Sequence, residues 1–311
     1  MRILFWGTPS FAVPSLRALL GEGHDVVGVV TQPDRPAGRG RKLRAPPVKV
    51  LAEEEMLPVL QPEKPRGEDF ERVVRALDPE VSVVVAYGQI LRPEILALPP
   101  RGSLNLHASI LPELRGAAPI NWAIIRGYEE TGVTVMRMVQ ELDAGPILFQ
   151  VREPIGADES ASELTARMAE IGAEALVEAL ALLEIDELPE REQDHDASSY
   201  APRITSDDAR VDWSLDAGAI ARHVRGMDDV PGAWTTHDGR RLLVYRPRVE
   251  ARDGTAGEVL ETDASGEGSL IVGCGAGALR IGEVKPEGKR RMTAGEWLRG
   301  GGARVGDRLG D

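Results

Sequence analysis

The segment VSVVVAY (81–87) places four valines in seven residues and has no polar face. A strand with one side in water alternates polar and apolar residues, so a run like this must be covered on both faces. Five more short apolar or β-branched runs share the character: RILFW (2–6), DVVGVVT (25–31), SLNLHAS (103–109), GVTVMRM (132–138) and ILFQVREPI (147–155). Between them, SFAVPSLRALLGEG (10–23), PVKVLAEEE (47–55) and EDFERVVRAL (68–77) carry helical spacing behind polar starts. This alternation predicts an α/β fold, a doubly wound and mainly parallel sheet with helices on both faces. In such sheets ligands gather beyond the carboxyl ends of the strands.

Beyond residue 155 the pattern changes. Residues 158–187 read as one long amphipathic helix, and the acidic, Pro- and Ser-containing stretch from 186 to 208 loses all periodicity. The organisation expected is therefore an α/β domain over 1–189, a linker over 190–207 and a smaller domain over 208–311. Within the linker, SYAPRI (199–204) is the part able to dock on a domain surface. The last segment offers a helix at 216–227 and strands at 241–249, 257–262, 269–275 and 278–286, separated by glycine-rich turns. A small β-barrel is expected, OB-like in preference to a sandwich.

With 311 residues the chain can build two such cores. Its single cysteine, Cys274, excludes an internal disulfide and a cysteine-rich zinc site. No metal is expected. The opening MRILFWGTPSF lacks the features of a secretory leader, and no apolar stretch reaches the roughly 18 residues of a spanning helix. A cytoplasmic protein with no membrane partner is expected, and a monomer. Net charge is −13, but it is uneven: residues 207–311 hold 16 Lys/Arg against 18 Asp/Glu, leaving 21 against 32 for the rest. Inside that acidic part, RPAGRGRKLR (35–44) carries five cations and no acid. Such a loop is either a solvated surface run or a local phosphate-binding element.

Asparagine occurs only twice, and one of the two, Asn105, stands in the apolar strand SLNLHAS with His107 two residues on. Residues two apart on a strand share a face, so amide and imidazole project together at the strand's carboxyl end. SILPELRGAAP follows, too rich in Pro and Gly to continue the strand, and a helix is expected to start near Ala117. Asp143, in ELDAGPIL (141–148), lies in a loop able to reach the pair. An Asp facing an imidazole orients its ring. An Asn/His/Asp trio with no Ser or Cys nucleophile points to attack by a substrate group on a carbonyl that the enzyme polarises. Taken singly, a strand-end His is more often structural and an Asp before Gly a turn former.

The wording NLHASILPELRGAAPI, with N-x-H, S-x-L-P and R-G-A-A-P-I in order, resembles the formyltransferases that use 10-formyltetrahydrofolate. ELDAG is similar to that family's second motif. WGTPSFAVPSL, TQPDRPAGRGRKL, VVVAYGQIL and ARVDWS (209–214) are similar to its members that act on methionyl-tRNA, so the likeness spans nearly the whole chain. The resemblance implies a Rossmann-like formyltransferase domain followed by a tRNA-binding β-barrel domain. It implies a transferase that moves a formyl group from 10-formyltetrahydrofolate to the amino group of initiator methionyl-tRNA in translation initiation. It implies catalytic roles for Asn105, His107 and Asp143. It puts folate contacts at Ser109, Ile110, Leu111 and Pro112 and at Tyr87, Gly88, Gln89, Ile90 and Leu91. It also implies tRNA contacts from Arg39, Arg41, Lys42 and Arg44, with the KPEGKRR cluster (285–291) a second cationic candidate. Three rivals remain. One is a related formyltransferase acting on a small amine such as a sugar nucleotide or glycinamide ribonucleotide, or a deformylating hydrolase with the same trio. Another is a non-catalytic tRNA-binding module. The third is a nicotinamide-dependent oxidoreductase, disfavoured because WGTPSF is not G-x-G-x-x-G.

Overall fold

In the computed structural model, described for residues 1–37 and 42–310, the valine run lies in the interior of a seven-stranded sheet. In chain order the elements of this first unit begin with β1 (Arg2–Gly7), α1 (Val13–Gly21), β2 (Asp25–Val30), β3 (Arg35–Ala37), β4 (Lys42–Arg44) and α2 (Pro47–Glu54). They continue with β5 (Val59–Leu60), α3 (Glu68–Leu77), β6 (Val81–Val85), α4 (Pro93–Leu96), β7 (Ser103–His107) and β8 (Arg115–Gly116). Helix α5 (Pro119–Ile125) belongs to the second unit, after which come β9 (Glu130–Arg137), β10 (Ile147–Pro154), α6 (Ala161–Glu184) and the two-residue β11 (Tyr200–Ala201).

The sheet order is β10-β9-β7-β6-β1-β2-β5. Strands β5, β2, β1, β6 and β7 are parallel, and β9 and β10 are antiparallel additions beside β7. This is the α/β sheet expected. Every residue of β6 is buried, as is all of β1 after Arg2, because each has sheet neighbours on both sides and covered faces above and below. From β1 the chain passes to β2 on one side and later to β6 on the other. That reversal opens a crevice beyond the carboxyl ends of β1 and β6, where such sheets hold their ligands.

The crevice has a rigid floor. Trp6 is fully buried, donates from Nε1 to Ser82 Oγ at 3.1 Å, and packs edge-on against Tyr87 at 5.2 Å and Phe70 at 5.9 Å between ring centres. Tyr87 and Leu91 are buried in the same apolar cluster as Leu4, Val84 and Ile95. The segment they bracket is therefore pinned at both ends while Gly88 and Ile90 stay exposed.

Residues 1–116, 130–154 and 165–201 make up this unit, and 117–129, 155–164 and 202–311 make up a second. The second unit contains α7 (Ala217–Gly226), β12 (Trp234–His237), β13 (Arg240–Glu250), β14 (Val259–Asp263), β15 (Ser269–Gly273), β16 (Ala278–Pro286), β17 (Met292–Thr293) and α8 (Ala294–Arg299). Its sheet runs β12-β13-β16-β15-β14 in antiparallel order, with β17 on β16. Residues 306–310 bridge its two ends. Val259 N donates to Asp307 O and Leu309 N to Gly257 O on one side, and Gly310 N to Thr236 O on the other, all at 2.8–2.9 Å. The expected small β domain is thus an antiparallel sheet that the last residues draw round on itself. Its core joins Val244, Leu270, Val272, Leu279 and Ile281 to Ile220 and Val224 of α7. Among the described residues, no helix is long and apolar enough to cross a membrane.

Candidate active site

Asn105 and His107 close β7, in register with Met136 and Thr134 of β9. His107 is buried, with 6% of its side chain exposed. Its Nε2 lies 3.0 Å from the Leu114 carbonyl oxygen. A carbonyl can only accept, so Nε2 carries the proton and Nδ1 is left as the working nitrogen. Nδ1 faces Asp143 Oδ2 at 3.7 Å. The Asn105 carboxamide is partly exposed and makes no hydrogen bond among the described residues. Asp143 Oδ2 accepts from Gly116 N at 2.8 Å. The structure therefore brings the three sequence-predicted catalytic residues to the carboxyl end of one strand.

The loop after β7 is shaped by its own hydrogen bonds. Ser109 Oγ donates to Glu113 O at 2.6 Å, and the Leu111–Pro112 peptide is cis. Leu114 and Asp143 both adopt the left-handed backbone, at φ +58° and +51°. Such residues persist only where their surroundings hold them, and they concentrate at functional sites. Gly116 is at φ +114°, and a Cβ there would sit 2.6 Å from the Ala201 carbonyl. The glycine of the R-G motif thus serves both the turn and the close approach of β11, which pairs with β8.

Three side chains that the sequence does not single out hold this loop. Thr134, fully buried, donates from Oγ1 to Ser109 O at 2.7 Å and accepts from Leu111 N at 3.2 Å. Gln150 Nε2 reaches both Thr134 Oγ1 and Leu111 O at 3.0 Å, and Arg191 donates to Gln150 Oε1 at 2.7 Å. Gln193 bridges Arg115 to the Asp143 turn. Beneath them Leu111, Met136 and Ile147 form a small apolar cluster. The only sequence signal for any of these is the polar Thr134 set between two valines.

The segment 87–91 follows the carboxyl end of β6, the parallel neighbour of β7. The Tyr87 carbonyl is held by Thr8 Oγ1 at 2.8 Å and Gln32 Nε2 at 3.2 Å. The backbone groups of Gly88–Leu91 have no backbone partner among the described residues. Burial pushes the Tyr87 phenol up to about 12, so it stays neutral.

The described residues of the basic run 35–44 are strands. Its flanks pair as antiparallel strands, Arg35 opposite Arg44 and Ala37 opposite Lys42, with Lys42, Leu43 and Arg44 exposed. Arg39 and Arg41 lie outside the described residues. The base is fastened by Asp34, which takes Lys49 Nζ on both oxygens at 2.9 Å and Gln61 Nε2 at 2.7 Å. Hydrogen bonds from Gln61 and Lys49 hold the Asp34 carboxyl below the usual range. In KPEGKRR, Arg291 is committed elsewhere: it pairs with Glu283 and Asp228 and lies 3.9 Å over the Tyr245 ring. That leaves Lys285, Lys289 and Arg290 as the exposed cations of this cluster, with Arg290 already 3.4 Å from Glu296.

Residues 1–180 match the family described as "Formyl transferase", and residues 203–302 match "Formyl transferase, C-terminal domain". Whole-length relatives agree. The methionyl-tRNA formyltransferase of Geobacter metallireducens is 46% identical, covering 100% of this chain and 99% of its own. That of Methylococcus capsulatus is 48% identical over 100% of both. The chain belongs to the formyl transferase family, in its methionyl-tRNA branch. Solved structures give the same fold at low identity. HypX from Aquifex aeolicus, in complex with tetrahydrofolic acid, superposes with a TM-score of 0.68 at 20% identity over 96% of this chain, which spans about half (47%) of HypX. The N-formyltransferase from Helicobacter canadensis, bound to folinic acid and dTDP-3-aminofucose, gives 0.68 at 16% identity over 90% of this chain and 98% of its own. Formyl transferase members therefore share this fold, and in this chain Asn105, His107 and Asp143 stand at the carboxyl end of β7.

Proposed function

We propose that the protein transfers the formyl group of 10-formyltetrahydrofolate to the free amino group of initiator methionyl-tRNA, acting as a cytoplasmic monomer. The observation that carries this reading is whole-length identity of 45–48% with relatives bearing the name methionyl-tRNA formyltransferase. The site supports it chemically. The donor brings a carbonyl carbon already bonded to its leaving nitrogen. Asn105, with its amide uncommitted, donates to the formyl oxygen as negative charge grows there. His107, its Nε2–H anchored on Leu114 O, presents Nδ1 to the same space. Asp143 has one oxygen on Gly116 N and takes the proton that the attacking amine gives up on the other, directly or through water; as the bond from the formyl carbon to N10 breaks, N10 gains one proton, so the transfer is proton-neutral. The nucleophile is the substrate's, which is why the cluster needs no Ser or Cys.

The residues at the mouth suit the donor. Gly88–Leu91, whose backbone N–H and C=O groups have no backbone partner among the described residues, is assigned to the amide edge of the pteridine, and the loop Ser109–Pro112 is assigned to the same donor. Lys42 and Arg44, together with Arg39 and Arg41, are assigned to acceptor-stem phosphates. The test is acceptor choice. The purified protein is given 10-formyltetrahydrofolate with methionine-charged initiator tRNA, glycinamide ribonucleotide or an amino-sugar nucleotide. Formylation of the tRNA alone is expected. Formylation of a small amine in preference to it overturns the assignment.

A further inference from the structure

We infer that Gln193 is a positioning residue for Asp143, an inference that rests on the catalytic reading above. Gln193 comes from the aperiodic, acidic stretch near the end of the first unit, in which every neighbour from Arg191 to Ser198 is exposed, yet it is itself 5% exposed. Its amide is used completely. Nε2 donates to Asp143 O at 2.9 Å and to Gly145 O at 2.7 Å. Oε1 accepts from Arg115 Nε at 3.1 Å and Nη2 at 2.6 Å. The carbonyls demand the NH2 end and the guanidinium demands the oxygen, so the orientation of the amide is fixed by its surroundings. Lysine offers no acceptor and glutamate no donor, so neither meets both demands.

The consequence falls on Asp143. A non-glycine residue at φ +51° relaxes towards negative φ unless something holds it. Two bonds hold this one: its carboxylate on Gly116 N, and its carbonyl on Gln193. Arg115 directly precedes Gly116, so one amide clamps both chain segments that set the distance between Asp143 and His107. Two further bonds tie the same stretch to the loop: Ser199 Oγ accepts from Leu114 N at 2.9 Å, and Ser199 O from Arg115 N at 2.9 Å. This closing stretch of the first unit is thereby part of the frame of the catalytic cluster. Without Gln193 the Asp143 turn keeps only the Gly116 bond of the two, and its carboxylate drifts from the imidazole while the folate and tRNA surfaces remain.

The test uses Gln193→Met, Gln193→Glu, Asp143→Asn and the double variant Gln193→Met/Asp143→Asn in the full chain. Single-turnover formylation, both Michaelis constants and urea stability are measured for each. Gln193→Met is expected to lower kcat by about 10- to 100-fold, the scale for a misplaced reacting group, with both Michaelis constants within about twofold of the parent. On the Asp143→Asn background the same change is expected to cost nothing further in rate, because the group it positions is already disabled. Should Gln193→Met not fold, Gln193→Glu serves, since it keeps the acceptor for Arg115 and removes only the donors to the turn. Normal turnover in whichever variant folds, or a loss that multiplies that of Asp143→Asn, overturns the inference. A parent protein that formylates no tRNA, or an Asp143→Asn variant with normal turnover, refutes the underlying catalytic reading instead.

Discussion

Thr134→Val exchanges a hydroxyl for a methyl of nearly equal volume at a fully buried position, so its effect is almost purely one of hydrogen bonding. The hydroxyl donates to Ser109 O and accepts from Leu111 N and Gln150 Nε2. Gln150 keeps a second acceptor in Leu111 O, so two groups are orphaned, and they belong to residues only 1% and 2% exposed. A buried group left unsatisfied costs about 1–3 kcal/mol, so two cost roughly 2–6 kcal/mol, and relaxation of the loop brings the expected loss to about 2–4 kcal/mol. At about 2–4 °C per kcal/mol for a unit of this size, the first unit's melting temperature falls by about 4–16 °C. The loop that moves is the one assigned to the folate, so the Michaelis constant for the formyl donor is expected to rise while that for tRNA holds. Scanning calorimetry and steady-state kinetics measure the two effects, with Thr134→Ser, which keeps the hydroxyl, as the control. A Val variant within about 0.5 kcal/mol of the parent, with its donor constant unchanged, would refute the reasoning.

Asn105→Ala is expected to lower kcat by about 10²- to 10³-fold, the cost of one donor to a developing oxyanion, while urea unfolding stays near that of the parent because the amide bonds nothing among the described residues. Reversing the charge of Lys42 and Arg44 together should raise the Michaelis constant for tRNA and not that for folate. It should also flatten the log–log salt dependence by about 0.7–0.9 for each phosphate no longer neutralised, so an unchanged slope would remove the hairpin from the tRNA interface. The Asp34 carboxyl is held low in the folded state, so its contribution is fully present above the unfolded value, near pH 4, and disappears as pH falls through the lower folded value. Asp34→Asn should therefore be less stable than the parent at neutral pH, with the gap closing on acidification; a gap constant with pH would contradict this.

The elements that the sequence discloses are those whose signal is local. A valine run has one solution in a covered sheet, and 278–286 and 68–77 are a strand and a helix over the very residues their patterns outline. Strand β12 escapes such a reading because WTTH is half-buried and short, with no apolar alternation to count. Strands β3 and β4 read as loop because their residues announce charge, while the Lys49 and Gln61 side chains that fasten Asp34 at their base come from further along the chain. Asn105 and His107 are legible for a related reason: polar groups in an apolar strand break the pattern that the core imposes.

Gln193 cannot be found this way. It is one glutamine in a segment already full of polar residues, so it violates no pattern, and nothing local distinguishes it from Glu192 or Asp194. Its burial arises only after Arg115, Asp143 and Gly145, distant in sequence, have been brought together by β8 and the turn after β9. The amide then becomes the one group that fits, because it must donate to two carbonyls and accept from a guanidinium at once. Polar residues that catalyse advertise themselves by standing where apolar ones belong, whereas polar residues that position others hide among their own kind. A charge-rich, aperiodic stretch at the end of a unit is accordingly a place to look for such side chains, by asking which of them the fold has buried.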